Sequence, residues 1–311
     1  MPRLSHILQA LGTQPAYTLM RGVARFKTVR GLVGHSRRMM QAGRLRAYLA
    51  ERESRMEGSL FGALDRAAFV RRLRHDGVAF GLELPPSLTA EILEYTSRRP
   101  CYADRQHGCG FRIDDRARAE THMGKPILVA QYFNAAAECP AIDRLIHDPA
   151  LQWIAAAYLR SMPTFVGANL WWTFPVQARE EDRDRHAHLF HRDVDDFHFF
   201  KFFFYLTDVR PGDGAHVCVL ASHRRPPVLR AGDRWNIRRY TDAEVQQCFD
   251  ADQIVEICGP AGTGFAENTL CVHKGLTPTR EPRLLLQLQY ALFDYGVMHD
   301  RRDPSALRMM V

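Results

Sequence analysis

Three residues of this sequence have the types and the spacing of a metal site. His191 and Asp193 form a His-x-Asp triplet that runs into an aromatic segment, and His273 lies far downstream. Two imidazoles and one carboxylate hold non-haem Fe(II) while leaving coordination positions open for substrate and dioxygen. Because residues two apart in a strand point the same way, His191 and Asp193 can reach one ion. The constellation makes the chain an oxygenase candidate.

Other polar residues near the triplet compete for the same roles. Asp195 shares the strand parity of Asp193 and is its rival as the carboxylate ligand, although Asp195 and Asp196 also suit a polar turn. His186 and His188 repeat the two-residue step, but neither is followed two residues later by a carboxylate. We therefore expect these two histidines at the rim of a pocket or in solvent.

Two strand segments carry side chains that a cavity could use. Lys201 interrupts an aromatic run, and a lysine in such a strand is rarely buried without a partner. It is either an edge residue that reaches solvent or a cation placed for the carboxylate of a cofactor or substrate. Trp171 and Trp172 lie on opposite faces of an upstream strand, so one can line a cavity while the other packs beneath helices.

The elements that must position these residues change character along the chain. Residues 1–60 are predicted to be helical, with Ile7, Leu8 and Leu11 at helical spacing and glycines at 31, 34 and 43 as breaks. Further helices and one short strand follow, and residues 100–124 are predicted to form a long irregular loop that could act as a lid. Strands are predicted at 165–174, 188–194, 197–206, 216–220, 253–257, 264–272 and 284–293.

Helices first and short antiparallel strands later predict an α+β fold. Its catalytic half should be a double-stranded β-helix, the double-sheet jelly roll, flanked by helices. The chain has 311 residues, of which 46% are hydrophobic, enough for one large domain with an extension. We expect a basic helical N-terminal extension over residues 1–60 and the jelly-roll domain over residues 61–311.

The positive charge is concentrated in the extension. Residues 1–60 hold eleven Lys or Arg against three Glu, whereas the rest of the chain is nearly balanced. Such a segment suits a solvated helical arm as well as a surface for an acidic partner, so it does not predict nucleic-acid binding. The sequence leaves the oligomeric state open.

Apolar runs and cysteines indicate the compartment. No run approaches the roughly 20 apolar residues that span a bilayer, so no membrane span is expected. The first ten residues lack an apolar core with a cleavage site, which predicts a cytoplasmic protein. The seven cysteines are odd in number and contain no C-x-x-C pair, which predicts free thiols.

The order of motifs after the triplet resembles the phytanoyl-CoA dioxygenase family of Fe(II)/2-oxoglutarate oxygenases. The triplet His191-Arg-Asp193 is followed by an aromatic strand, the turn Arg210-Pro-Gly-Asp-Gly214 and the run Ala221-Ser-His-Arg224. The distal His273 then precedes Arg283, which opens a final Leu-rich strand. The resemblance covers roughly residues 165–293.

This resemblance assigns roles to particular residues. It implies that His191, Asp193 and His273 bind iron, that Arg283 binds the distal carboxylate of 2-oxoglutarate, and that dioxygen is the co-substrate. A guanidinium suits that task because its planar fork binds a carboxylate bidentately and stays charged. Arg280 is the competitor for this role, and Arg283 is favoured because it opens the final strand.

The chain departs from the family pattern at three places. Gly275 stands two residues after the distal histidine, where relatives often have a hydroxyl residue that helps to hold 2-oxoglutarate; Thr277 is the candidate to replace it. Ala221-Ser222-His223 replaces the Pro-Gly-Ser-His sequence that is usual in the family. Asp193 is present where halogenating relatives have a small residue, so the resemblance implies hydroxylation or a related oxidation.

The substrate is the part that the resemblance leaves open. It permits a small specialised metabolite or an acyl-type substrate, including a carrier-linked or CoA-linked acyl group, and fold-level analogy does not choose among them. One rival interpretation is a jelly-roll metalloenzyme that does not use 2-oxoglutarate. The other is a catalytically silent binding or scaffold protein whose basic N-terminal region is the contact surface.

Overall fold

The computed structural model describes residues 14–177, 179–230, 233, 237–297 and 300–311. The helical pattern predicted from Ile7, Leu8 and Leu11 lies outside the described residues. The helices are α1 (Pro15–Val23), α2 (Lys27–Ser54), α3 (Arg66–Asp76), α4 (Pro86–Arg98), α5 (Arg116–Met123), α6 (Ala135–Glu138), α7 (Pro140–Ile146), α8 (Pro149–Leu159), α9 (Glu180–Arg185) and α10 (Asp242–Cys248). The strands are β1 (Val78–Glu83), β2 (Cys101–Ala103), β3 (Gly110–Phe111), β4 (Val129–Tyr132), β5 (Thr164–Thr173), β6 (Phe199–Tyr205), β7 (His216–Val219), β8 (Ile254–Ile257), β9 (Thr263–Glu267), β10 (His273–Gly275) and β11 (Arg283–Ala291).

Two antiparallel sheets form the core. The large sheet has the strand order β1-β9-β6-β11-β5-β4-β2-β3, and the small sheet has the order β10-β7-β8. A bridge between His191 and His273 extends the small sheet at its β10 edge. From β5 onward the chain crosses repeatedly between the sheets, which is the path of a double-stranded β-helix. The predicted α+β fold with a jelly-roll core is confirmed.

The two faces of the large sheet have different neighbours, as strand alternation requires. One face, which we call the outer face, packs on the helices through side chains such as Phe202 and Leu286. The other, the inner face, meets the small sheet through side chains such as Phe203 and Leu285. Trp172 belongs to the outer face, where its Nε1 donates to Tyr132 Oη at 3.1 Å. Trp171 packs against the inner cluster, so the predicted division of the two tryptophans is confirmed.

The helix before β1 shows how local sequence sets the entry to the sheet. The Asp65 side chain accepts a hydrogen bond from the Ala68 backbone N–H at 2.9 Å and caps α3, as its position before an amphipathic run predicts. Gly77 ends α3 with φ of +80°, a left-handed conformation that favours glycine. The chain can therefore turn directly from α3 into β1.

The glycines at 31, 34 and 43 do not interrupt the N-terminal region. That prediction was wrong, because α2 runs without a break from Lys27 to Ser54. Glycine in a helix interior costs only about 1 kcal/mol, which tertiary packing can offset. Here Gln41, buried in the middle of α2, accepts hydrogen bonds from Ser161 Oγ at 2.6 Å and from the Met162 backbone N–H at 2.8 Å.

The predicted irregular loop at 100–124 also needs correction. It contains β2, β3 and α5, and the first two form an antiparallel pair at the end of the large sheet. Each strand has only two or three residues, too few for a periodic pattern. Similarly, the predicted strand at 188–194 is reduced to isolated bridges at Phe190 and His191. Within the described part of the chain, no helix is both long and apolar enough to cross a bilayer.

Candidate metal centre

The structure brings His191, Asp193 and His273 together at the edge of the small sheet. His191 and His273 pair through both backbone hydrogen bonds, with N–O distances of 2.9 and 3.0 Å. Their imidazole rings have centroids 4.2 Å apart. One ligand atom from each of the three residues lies within 4.8 Å of the others. All three could therefore hold a single ion.

Backbone carbonyls set the tautomer of both histidines. Nδ1 of His191 lies 2.9 Å from the Leu189 carbonyl oxygen, and Nδ1 of His273 lies 2.9 Å from the Cys271 carbonyl oxygen. Each Nδ1–H can donate to its carbonyl, which leaves the Nε2 lone pair free for a metal. The two Nε2 atoms lie 3.6 and 3.7 Å from the oxygens of Asp193. The donor set fits a divalent metal such as iron.

Lys201 holds the carboxylate of the triad ionised. Its Nζ lies 2.6 Å from Asp193 Oδ2 and 3.2 Å from Asp195 Oδ2. Burial raises the pKa of Asp193, but the Lys201 ammonium outweighs it and brings that pKa well below its ordinary value. Burial lowers the pKa of His191 well below its usual range, and the neighbouring His273 lowers it further. The site therefore presents a carboxylate and a neutral imidazole, the forms that bind metals.

The same contacts identify the acid that Lys201 faces. Lys201 is only 7% exposed, so it is an interior cation and not an edge residue that reaches solvent. Its partners are two carboxylates of the protein itself, and a contact with a cofactor or substrate remains a prediction. The Tyr17 hydroxyl of α1 donates to Asp195 Oδ1 at 3.2 Å. The N-terminal extension thus reaches the surroundings of the metal site, which its sequence did not predict.

Arg283 is a buried cation without an acidic partner in the described part of the chain. It is 2% exposed at the start of β11, and burial lowers its pKa. Nη1 donates to the Gly214 carbonyl, Nη2 donates to Thr173 Oγ1 at 3.2 Å, and Nε has no partner among the described residues. Arg280, its competitor, lies on the surface with 58% of its side chain exposed.

Gly275 keeps the space in front of Arg283 open. It lies two residues after His273 on β10, so both face the interior between the sheets. A Cβ at Gly275 would lie 3.4 Å from Arg283 Nη2 and 3.9 Å from His188 Cδ2. Thr277 Oγ1 lies 2.8 Å from His188 Nδ1, so this threonine approaches the same gap through His188.

His186 and His188 are 5% and 3% exposed, so the solvent alternative was wrong, while a place at the rim of a pocket stays a prediction. Their partners Asp104 and Thr277 are too distant in the sequence to have revealed this burial. Nε2 of His186 lies 3.5 Å from Asp104 Oδ1, which also pairs with Lys125. Burial lowers the pKa of His188 well below its usual range, and the Arg283 charge contributes to this.

A buried acid behind the triad was missed by the sequence reasoning. Glu267 Oε2 lies 2.6 Å from His216 Nε2, and the His216 ring stacks on that of His273 with centroids 5.5 Å apart. Burial raises the pKa of Glu267 to about 8 and lowers that of His216 to about 3. The two groups share one proton and support His273 from behind. Only the parity of Glu267 with Phe265 on β9 could have indicated an inward position.

No protein-family model and no curated protein matches the chain. Solved structures do resemble it. The epimerase SnoN, in a complex with Fe3+, alpha ketoglutarate and nogalamycin RO, is 17% identical with a TM-score of 0.49, covering 72% of this chain and 82% of SnoN. HygX from Streptomyces hygroscopicus, with nickel, 2-oxoglutarate and hygromycin B bound, is 15% identical with a TM-score of 0.46, covering 72% and 86%.

AviO1 from Streptomyces viridochromogenes Tue57 is similar to the same extent. It is 20% identical with a TM-score of 0.46, and the match covers 73% of this chain and 95% of AviO1. At such identities and TM-scores, the fold assignment depends on the strand order of this chain itself. The roles of its residues depend on their own contacts.

Proposed function

We propose that this protein is an Fe(II)/2-oxoglutarate-dependent dioxygenase of the phytanoyl-CoA dioxygenase type that hydroxylates an unactivated C–H bond of a small molecule. The catalytic domain is residues 61–311, and residues 1–60 form an N-terminal extension whose described part, from residue 14, packs on it. His191, Asp193 and His273 hold the iron. Arg283 holds the distal carboxylate of 2-oxoglutarate.

The observation that carries this proposal is the unpaired charge of Arg283. A guanidinium buried without a carboxylate is costly, because the charge loses its water and gains no counter-ion. Among the described residues it contacts only a carbonyl and a hydroxyl, and a planar fork of this kind matches a carboxylate. Gly275 places this fork near the metal ligand His273, because it lies two residues after His273 on β10 and a Cβ on it would lie 3.4 Å from Arg283 Nη2.

Each side chain of the site has a separate role in the proposed reaction. His191 and His273 present Nε2, because their Nδ1–H groups are engaged with backbone carbonyls. Lys201 keeps Asp193 ionised before metal arrives. Bound iron and 2-oxoglutarate would activate dioxygen, so that substrate R–H, 2-oxoglutarate and O2 give R–OH, succinate and CO2. Asp193 would supply a carboxylate ligand to the iron, which supports hydroxylation over halogenation.

The test is anaerobic addition of Fe(II) and then 2-oxoglutarate to the purified protein, followed by the visible metal-to-ligand charge-transfer band. We expect a band in the wild type and none in His191→Ala. Arg283→Met should weaken 2-oxoglutarate binding by about a hundredfold or more, since it removes a charge-assisted bidentate contact. Arg280→Met is the matched control, because it makes the same change on the surface of the same segment and should bind normally.

Each other result selects a rival. Metal binding without a band would indicate a metalloenzyme that does not use 2-oxoglutarate. A normal band and normal 2-oxoglutarate affinity in Arg283→Met would remove Arg283 from the cofactor site. Failure to bind metal at all would favour a binding or scaffold protein.

A further inference from the structure

A band of four amide side chains crosses the inner face of the large sheet. Gln131 lies on β4, Asn169 on β5, and Gln287 and Gln289 on β11, and these three strands are adjacent in the sheet. Gln287 lies opposite Asn169 in the register. We propose that this amide band is the substrate subsite, and that it binds a neutral, hydroxyl-rich ring of the sugar or cyclitol class. The inference rests on the proposed function and names its substrate class.

The amides are buried more completely than their hydrogen bonds justify. Gln131, Gln287 and Gln289 are 2%, 8% and 4% exposed. Within the described residues, the one hydrogen bond of the band runs from Gln131 Nε2 to Asn169 Oδ1, at 2.9 Å. Buried polar groups are normally paired. The two glutamines of β11 have no hydrogen-bond partner among the described residues, so their amides are available to a ligand in the space between the sheets.

The chemistry of an amide selects that partner. Each amide presents an acceptor oxygen and two donor N–H groups, and a hydroxyl both donates and accepts. A polyol can therefore satisfy the two glutamines of β11, whereas an acyl chain would leave both unpaired. A site built to hydrogen-bond a hydroxyl discriminates strongly against ligands that lack it.

The charges around the band argue against an anionic substrate group. Gln289 lies opposite Lys201 in the β11–β6 register, but the Lys201 ammonium is already paired with Asp193 and Asp195. Arg283 at the far end of β11 is assigned to 2-oxoglutarate. The cations of β6 and β11 next to the amide band are thus already engaged, whereas Arg105, an exposed residue, lies beside Trp171 instead, so the band itself suits a neutral ligand.

Trp171 supplies the apolar contact that a hydroxylated ring also needs. It lies two residues from Asn169 on the same face of β5, and it is opposite Gln131 in the β4–β5 register. Its ring is partly exposed, and the Arg105 guanidinium lies 5.9 Å from its centroid. An aromatic surface beside a few placed polar groups is the usual composition of a small-molecule pocket. The C–H face of a sugar or cyclitol fits that combination.

The test measures binding of chemically defined probes to the anaerobic Fe(II)/2-oxoglutarate protein. A library of neutral glycosides and cyclitols is compared with palmitoyl-CoA and free amino acids, by thermal shift and by perturbation of the charge-transfer band. We expect glycosides or cyclitols to bind. Gln287→Leu and Gln289→Leu should each weaken that binding by about tenfold, as expected for one lost hydrogen bond. Gln246→Leu, the same change on the exposed face of α10, is the control.

The outcomes separate this inference from the proposed function. If either β11 variant loses the charge-transfer band, the amides hold the cofactor and the inference fails. If no neutral probe binds, or palmitoyl-CoA binds instead, the substrate class is wrong while the wild-type band still sustains the proposed function. If the wild type gives no band, the proposed function fails, and the thermal-shift comparison on metal-free protein then decides the amide band on its own.

Discussion

The inner and outer faces of the large sheet are made by the same strands, yet on β6 and β11 only the inner face carries buried charged and amide side chains. On these strands the outer positions are aromatic or aliphatic and fully buried against helices, as Phe202 and Leu286 illustrate. The inner positions also include aromatic and aliphatic residues, but among them lie Lys201, Gln287 and Arg283, which are 7%, 8% and 2% exposed. Burial alone therefore does not separate structural from functional residues. A buried polar group that lacks a hydrogen-bond partner or a counter-ion within the protein indicates a functional residue.

The largest change in stability should come from a substitution on the outer face. Phe202→Ala removes a fully buried ring and leaves a cavity, so we expect the free energy of unfolding to fall by about 3–5 kcal/mol. Denaturant unfolding measures it. Fe(II) and 2-oxoglutarate binding per folded molecule should be unchanged, and a loss of binding in the folded fraction would break the division between the faces.

Lys201, the neighbour of Phe202 on the inner face of β6, should respond differently to substitution. Lys201→Met leaves Asp193 and Asp195 without their cation, so the metal-free protein should lose on the order of 2 kcal/mol of stability. A bound divalent ion replaces the missing charge. We therefore expect Mn(II) to raise the melting temperature more in Lys201→Met than in the wild type. An equal rise in both would contradict the pairing, and unchanged affinities for 2-oxoglutarate and substrate would exclude a direct contact of Lys201 with either.

Gly275→Ala tests the gap in front of Arg283. A methyl group there would lie 3.4 Å from Nη2, in the space assigned to the cofactor carboxylate. We expect 2-oxoglutarate to bind about tenfold more weakly, with metal affinity in its absence unchanged. Isothermal titration of the two ligands distinguishes these effects. Normal 2-oxoglutarate affinity would remove the gap from the cofactor site.

A Gly→Ala substitution in α2 should instead make the protein slightly more stable. At Gly43 a Cβ would meet nothing within 4 Å, so Gly43→Ala should add up to about 1 kcal/mol to the free energy of unfolding. Thermal unfolding measures this small gain. A loss of stability would mean that this stretch of α2 depends on a contact made by glycine.

The sequence predicted the architecture because a long strand contains enough residues to show the pattern of strand-forming residues between turns. β5, β6 and β11 are seven to ten residues long, and their boundaries lie close to those predicted. β2 and β3 are too short to show a period, and the His-x-Asp triplet lies in irregular chain. The position of Arg283 at the start of the final strand favoured it over Arg280, and the structure buries Arg283 while Arg280 lies on the surface. Glu267 and Tyr17 escaped prediction because each meets its partner across a long separation in the chain.

The pairing of His191 with His273 has a consequence for biosynthesis. The backbone bonds that join these two ligands also join chain segments separated by all of β6 to β9. A nascent chain that has not yet released β10 from the ribosome holds at most two of the three ligands. Metal binding should therefore follow synthesis of nearly the whole polypeptide. A complete metal site would then indicate that the two sheets of the jelly roll have come together.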